Sequence, residues 1–315
     1  MTILITGAYG FIGSNLSRFL KENNYCLWAL DVLEKQNKSY AHYYSWGDLD
    51  FLPWNEVDVI IHLAGKAHDI KNQTEVQDYF DVNTELTKKV FDRFLLSSAK
   101  QFIFFSSVKT VIDAIDSSFI TEDIAPKPVG PYGESKLAAE KYILDCFDPR
   151  NDGGKSVYIL RPCMIHGPGN KGNLNLLYNV VSKAIPWPLG AFDNKRSYLN
   201  SWNLSYIIEQ FILQNPESGV YNLADDEPVS TNELVKLIAQ SKGKKAKIWN
   251  CNKRIVKSIA RIGDFCKFPL NSDRLQKLTA TYIVSNQKGK QALGIKQLPV
   301  SAIEGLERTL RTFEN

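Results

Sequence analysis

The chain has 315 residues, 44% of them hydrophobic and 23% charged, with a formal net charge of +4 at neutral pH. That is an ordinary globular balance, too weakly basic to argue for nucleic acid and long enough for one large domain or two unequal ones. No apolar run reaches the ~18 residues that a membrane span requires, and Met1 leads directly into a strand-like run without the basic stretch that opens a secretory signal.

Ile3, Leu4 and Ile5 form a short uncharged run, as in a strand buried on both faces. Gly7, Gly10 and Gly13 follow at spacings of three, and Ile12, Leu16, Phe19 and Leu20 then recur at helical spacing. Glycines between a strand and a helix serve a tight turn, close approach of backbone to a pyrophosphate, and helix-on-strand packing. The helix that follows aims its N–H groups and positive dipole end at phosphates. A glycine-rich turn that binds nothing is the plainer alternative. Cys26–Leu30 reads as a second buried strand, ending at Asp31, 18 residues after Gly13. A carboxylate there suits adenosine ribose hydroxyls and repels a 2′-phosphate. No Arg or Lys follows until Lys35, which points to NAD rather than NADP. A loop-opening aspartate is the bland reading of the same residue.

Val57–Ala64 is a further buried strand, closed by Ala64-Gly65, small residues where backbone must lie close to a ligand. Helical spacing runs over 76–96, with Val82, Leu86, Val90, Phe91 and Phe94 on one face. Phe102–Phe105 is a strand that runs into Ser106-Ser107, and after an irregular loop Tyr132 to Lys136 opens a helix through Leu144. Val157–Leu160 is another strand, ended by Arg161-Pro162. Such alternation predicts an α/β fold with a doubly wound parallel sheet and a ligand at the carboxyl ends of its strands. Past His166 the texture changes, so residues 1–165 are expected to form the dinucleotide-binding domain and 166–315 mostly a smaller lobe. Strands near 197–223 are expected to return to the sheet. The five cysteines (Cys26, Cys146, Cys163, Cys251, Cys266) are odd in number and never in C-x-x-C. They read as reduced, mostly buried thiols in the cytoplasm. The four histidines (His42, His62, His68, His166) show no metal-ligand spacing, so no metal is expected. His62 reads as a packed histidine, and His68 as a loop histidine that could face a substrate.

Tyr132 and Lys136 lie four apart at a helix start and share a face. A phenol is a weak acid, with an unperturbed pKa of about 10, and a neighbouring ammonium is expected to lower it. Ser107 can hold the same substrate oxygen for proton transfer. The pair alone is common by chance; its position after the glycine turn, the acidic strand end and the serine gives it weight.

In this order of motifs the chain resembles the extended short-chain dehydrogenase/reductase superfamily, specifically its nucleotide-sugar epimerase/dehydratase branch. Residues 6–13 match T-G-x-x-G-x-x-G, His62-Leu63-Ala64-Gly65 the strand-four signature, and Asn83 the Asn of V-N-x-x-x-T. Ser107, Tyr132 and Lys136 match the catalytic residues. The resemblance implies a Rossmann-type sheet with a mixed α/β substrate lobe, and NAD held by Gly7, Tyr9, Gly10, Phe11, Ile12 and Gly13. It adds Asp31, Asp48, Leu49, Leu63, Ala64, Gly65, Asn83, Tyr132 and Lys136 to that set. Asn173, Leu174 and Arg196 resemble the contacts to the base and diphosphate of a sugar nucleotide, with Arg274 a further diphosphate candidate. Arg161-Pro162 and Gly167-Pro168-Gly169 resemble the link to the substrate lobe, where His166 replaces the usual tyrosine.

Departures from the family narrow the reaction. Dehydratases carry an acidic pair after the catalytic hydroxyl, decarboxylating members a Glu and fucose synthases a Cys; here Val108 and Lys109 stand there. The resemblance then implies 4-epimerisation of a nucleoside-diphosphate hexose, a UDP-hexose above others, or reduction of its 4-keto form in surface-polysaccharide synthesis. A non-catalytic NAD-sensing regulator is the third alternative, opposed by the intact Ser107, Tyr132 and Lys136. A homodimer paired through helices 76–96 and 137–147 is the family expectation. Between Lys242 and Arg274 stand ten basic residues and two acids, Asp264 and Asp273. Within that stretch Ile255, Val256, Ile259, Ile262, Phe265 and Cys266 form a roughly helical apolar stripe. It reads as a core-packed helix on a solvated basic face, the alternative being a helix laid on a membrane.

Overall fold

The computed structural model describes residues 1–32, 38–66, 75–111, 119–266 and 271–313, without the side chains of Phe265, Cys266 and Asp273. Lys35 and His68, singled out above, lie outside the described residues, as do the Phe265 and Cys266 side chains of the apolar stripe.

Strands β1 (Thr2–Thr6), β2 (Cys26–Asp31), β3 (His42–Ser45), β4 (Val59–His62) and β5 (Gln101–Phe105) alternate with helices α1 (Phe11–Glu22), α2 (Val76–Phe80) and α3 (Leu86–Leu96). A short strand β6 (Phe119–Ile120) precedes α4 (Pro131–Cys146), then come β7 (Ser156–Pro162), β8 (Met164–His166), α5 (Asn173–Ser182), β9 (Tyr198–Asn200) and α6 (Ser201–Gln214). The chain continues through β10 (Gly219–Leu223), α7 (Thr231–Ser241), α8 (Lys253–Cys266), α9 (Ser272–Thr279), β11 (Ile283–Val284), α10 (Gln287–Ala292) and α11 (Ala302–Arg311). Seven strands form one parallel sheet in the order β10-β7-β5-β4-β1-β2-β3. This is a doubly wound α/β sheet, and its order reverses between β1 and β4, so the crevice at their carboxyl ends is the ligand position.

Period-two alternation sends Ile3 and Ile5 to one face and Leu4 to the other. Leu16 and Leu20 of α1 and Ile208 and Phe211 of α6 cover the first face. Phe91 and Phe94 of α3 and Ile143 of α4 cover the second. A third cluster lies apart from the sheet, built from Leu174 and Tyr178 of α5, Ile238 of α7, Val256 and Ala260 of α8, and Leu306 and Leu310 of α11. Pairs β8–β9 and β6–β11 form two small ribbons beside the main sheet.

Three local expectations are corrected. Segment 76–96 is not one regular helix: Asp81–Glu85 forms a π turn between α2 and α3. Val82 and Leu86 are only partly buried, while Asn83, Thr84 and Thr87 point inward. The α8 stripe splits: Val256 lies in the third cluster, beside an Ala260 outside the stripe, but Ile255, Ile259 and Ile262 are in solvent. Of the described cysteines only Cys163 is buried; Cys26 and Cys146 are exposed, and all four are free thiols. No described helix is long and apolar enough to cross a membrane, and no described His, Cys, Asp and Glu cluster could hold a metal.

Candidate active site

The glycine turn leaves the carboxyl end of β1. Gly7 has φ +65° and donates its N–H to Leu30 O at 2.9 Å. A Cβ there would lie 2.8 Å from Ala64 N, and one at Gly13 would lie 2.5 Å from Ala8 O, so the turn is as tight as backbone permits. Gly10 is the N-cap of α1 and supplies no side-chain cap. The first-turn N–H groups therefore stand ready for an anion, with the positive end of the helix behind them. The Tyr40 hydroxyl braces the turn by donating to Ala8 O at 2.9 Å. Asp31, at the end of β2, is buried and accepts the Tyr9 and Val32 N–H groups at 2.8 and 2.7 Å. A carboxylate has about four acceptor positions, so these two bonds leave it able to take ribose hydroxyls.

The loop after β4 runs alongside. His62 is wholly buried, bonded to Thr6 Oγ1 at 2.7 Å and Thr87 Oγ1 at 2.9 Å, and burial pushes its pKa down to about 3. It is a packed neutral histidine. Ala64 is buried and donates its N–H to Thr6 Oγ1 at 3.1 Å. The π turn brings Asn83 against this loop, where its Oδ1 accepts Lys66 N–H at 2.8 Å and its Nδ2 donates to Lys66 O at 3.1 Å. The same amide donates to Ser135 Oγ at 3.0 Å, and Thr84 Oγ1 donates to Ser135 O at 2.8 Å. Asn83 thus fastens the loop to the first turn of α4.

That first turn carries Tyr132 and Lys136. Ser107, two residues past the end of β5, caps a short 3₁₀ turn, its hydroxyl accepting Lys109 N–H at 3.2 Å. Burial pushes the Tyr132 phenol above its ordinary value, against the lowering expected from Lys136; a hydrogen bond from Ser107 acts the other way and the neighbouring Tyr79 adds to the rise. Lys136 Nζ donates to Phe105 O at 2.8 Å. Burial also pulls Lys136 down to about 8, with Glu140 opposing that shift, so it remains a cation at neutral pH. Beneath it lies a group absent from the sequence reading. Glu140 accepts Arg161 Nε at 2.9 Å and Nη2 at 2.5 Å, and takes the Ser106 hydroxyl as well, all buried. Breaking such a pair from one side costs about 3–5 kcal/mol.

These groups surround a cleft of about 310 Å³. Its walls bring together Gly7, Gly10, Phe11, Ile12 and Gly13 with Leu63, Gly65, Ser107, Tyr132 and Lys136. Lys66, Phe105, Ser106, Pro162, Cys163, Ile165 and Asn170 line it too and were not foreseen. Cys163 and Ile165 flank the change of direction after Arg161-Pro162, a signal available in the sequence but not used. Burial holds the Cys163 thiol well above its ordinary value, so it is a filler rather than a nucleophile. The described lining contains no Asp or Glu.

Other expected residues stand outside these walls. Asp48 accepts the Ser45 N–H and hydroxyl, both at 2.7 Å, and Leu49 follows it in the same turn. Asn173 opens α5, and the Leu174 side chain is in the third cluster, so only its backbone can face a ligand. Arg196 bridges Val229 and Tyr282 and donates Nη2 to Lys277 O at 2.5 Å, while its Nε is buried without a partner. Arg274 is exposed in the first turn of α9. His166 is buried, its Nδ1 bonded to Thr309 Oγ1 at 2.9 Å.

A family model described as the NAD dependent epimerase/dehydratase family matches residues 3–224, reaching just past the last strand of the sheet. The chain belongs to this family. A UDP-glucose 4-epimerase of Vibrio cholerae is 32% identical over 329 aligned positions, covering 99% of this chain and 95% of the relative. An N-acetyl-alpha-D-glucosaminyl-diphospho-ditrans,octacis-undecaprenol 4-epimerase of Escherichia coli O157:H7 is 26% identical, covering 98% and 94%. The structure of a UDP-N-acetylglucosamine 4-epimerase from Bacillus cereus aligns with TM-score 0.77 at 18% identity over all of both chains. As a member of the NAD dependent epimerase/dehydratase family, the protein is an NAD-dependent enzyme. Its residues fit that cofactor: the turn admits no Cβ at Gly7 or Gly13, α1 opens without a side-chain cap, and the cleft continues from there to Tyr132 and Lys136.

Proposed function

We propose that the protein is a 4-epimerase of a UDP-hexose, acting through a 4-keto intermediate. The observation that carries the reading is one cleft holding Ser107, Tyr132 and Lys136 beside the glycine turn, with Val108 buried in the sheet core and no described carboxylate in the lining. Elimination or decarboxylation would need an acid there; moving a hydride at C4 does not. Both curated relatives named above are 4-epimerases, which supports epimerisation over one-way reduction of a 4-keto sugar.

NAD, when bound, supplies the hydride acceptor and returns the hydride. Burial raises the Tyr132 phenol and its bond to Ser107 opposes that rise, so the phenolate would form with the positive nicotinamide beside it; Tyr132 then takes the proton of the 4-hydroxyl and gives it back, and Ser107 holds the reacting oxygen in line. Lys136 keeps a positive charge one helical turn away and holds the cofactor ribose, and Asp31 takes the adenosine ribose and so selects NAD over NADP. Residues 1–165, with β10, hold the cofactor, and most of 166–315 covers the sugar nucleotide. There Asn173, the Leu174 backbone, Arg196 and Arg274 meet its base and diphosphate. The free thiols of Cys26, Cys146, Cys163 and Cys251 suit a reducing cytoplasm. Helices α3 and α4, with Val76 and Leu144 exposed nearby, pair across a homodimer two-fold, and surface-polysaccharide synthesis is the setting.

Denaturing freshly purified protein and identifying the released nucleotide tests the reading. About one equivalent of NAD⁺, with interconversion of a UDP-hexose and its 4-epimer needing no added reductant, is the expected result. The Tyr132→Phe variant should release the same nucleotide and lose the interconversion. An empty site that exchanges NADH or NADPH would transfer the assignment to a 4-ketoreductase, and no dinucleotide affinity at all would end it.

A further inference from the structure

Helix α8 has two apolar faces where a surface helix ordinarily has one. Val256 and Ala260 are buried in the third cluster, with Gly263 on the same side. Ile255, Ile259 and Ile262 form a second row, turned from the first by about 100° at 3.6 residues per turn. They are 60%, 50% and 56% exposed. Among the described residues, no other helix leaves three large aliphatic side chains of one face in solvent. Scattered exposed apolar residues are normal; a row on a single helix face is an unfilled contact.

The charges beside the row say what fills it. Arg254, Lys257 and Arg261 are exposed on the helix flank away from the protein body. The helix's one acid, Asp264, is engaged, accepting the Ser272 N–H and hydroxyl at 2.8 and 2.6 Å. Upstream, Lys244, Lys245 and Lys247 are exposed, and Trp249, 57% exposed, lies four residues before Lys253. Ile248 and Asn250 on either side of it bridge to Trp187 and Leu189, so the Trp249 segment is anchored.

We propose that the outer face of α8, with Trp249 ahead of it, docks this protein on the surface of an anionic phospholipid bilayer. An aliphatic row flanked by Lys and Arg, with a tryptophan nearby, is the build of a helix lying in the plane of the headgroups. Its cations meet anionic lipid while its isoleucines enter the acyl boundary. A second copy of this chain is the poorer occupant, because a two-fold contact on this face would set Arg254, Lys257 and Arg261 near their own duplicates.

The test is co-sedimentation of the full chain with vesicles of phosphatidylcholine mixed with phosphatidylglycerol. It reads vesicle binding and is independent of the sugar substrate proposed above. Binding is expected at low salt, falling about tenfold or more with pure phosphatidylcholine and at high salt. The combined Ile255→Ser, Ile259→Ser and Ile262→Ser variant removes only exposed side chains. It should keep its circular dichroism and its turnover of soluble sugar nucleotide, and bind mixed vesicles about tenfold less or weaker still. A wild-type protein that ignores mixed vesicles overturns the proposal, as does equal binding by the triple variant. Self-association that the triple variant abolishes, without vesicle binding, assigns the face to a second copy and overturns it as well.

Discussion

At Gly65 the space for a side chain is already taken. A Cβ there would stand 2.8 Å from Lys136 Nζ and 2.9 Å from Asn83 Oδ1. Lys136 ends a long side chain that can swing aside, whereas the Asn83 amide is buried and bonded to Lys66 and Ser135, so a methyl there disturbs both the lysine and the loop that Asn83 fastens. Gly65→Ala is therefore expected to cost about 1–3 kcal/mol of stability and to lower kcat at least about tenfold in the folded protein, because Lys136 is displaced from its bond to Phe105 O. Steady-state kinetics with a denaturation curve checks it; unchanged kcat would mean that the lysine position is not critical. The sequence shows Gly65 only as a small residue after a strand. That it faces the lysine depends on a contact across 71 positions, which no local pattern carries.

At the scale of elements, buried strands and their glycine turn were legible because a parallel sheet covered on both faces writes continuous apolar runs. Edge strand β3 was not, since His42–Ser45 is half-exposed and has no such run. The π turn was missed for a related reason. Tyr79, Asn83, Thr87 and Phe91 repeat every four residues, and all are buried. A regular helix would drift by about 40° at each such step, and the wider turn absorbs that drift. Tyr79 therefore stays beside the Tyr132 ring, at 6.4 Å, while Phe91 stays in the core. The apolar count over 76–96 cannot register this, because the residues that mark it are polar. Asn83 consequently joins the β4 loop, α3 and α4. Asn83→Ala would leave the Lys66 N–H without its acceptor and is expected to cost about 2–4 kcal/mol. It should also lower the equivalents of NAD⁺ that the purified protein retains more than it lowers kcat of the loaded protein, a split that simple destabilisation would not give. Denaturant titration, with released nucleotide and turnover measured on the same preparation, separates the two.

For the molecule as a whole, three buried groups contribute to how stability answers to acid. His62 and His166 are both held down to about 3, and Asp225 is held up to about 7, each chiefly by burial. In the unfolded chain the histidines titrate near about 6.5 and the aspartate near about 3.9. Between about pH 4 and pH 6 the unfolded chain thus carries two protons on these groups and the folded protein one. That single proton is assigned to Asp225, whose Oδ2 is 4.0 Å from His166 Nε2; moving it across to the histidine would leave the count unchanged. Since the unfolded state binds one proton more, these groups make stability fall as pH falls, by about 1.4 kcal/mol per pH unit in that window. The raised carboxyl and one lowered histidine oppose each other and nearly cancel, so the remaining slope belongs to His62. Replacing it, as His62→Gln, should lower stability at neutral pH by disturbing the bonds to Thr6 and Thr87, yet remove most of that slope. Urea unfolding of both proteins across the window measures it, and a variant that loses stability with acid as steeply as wild type would show that the proton is taken up elsewhere.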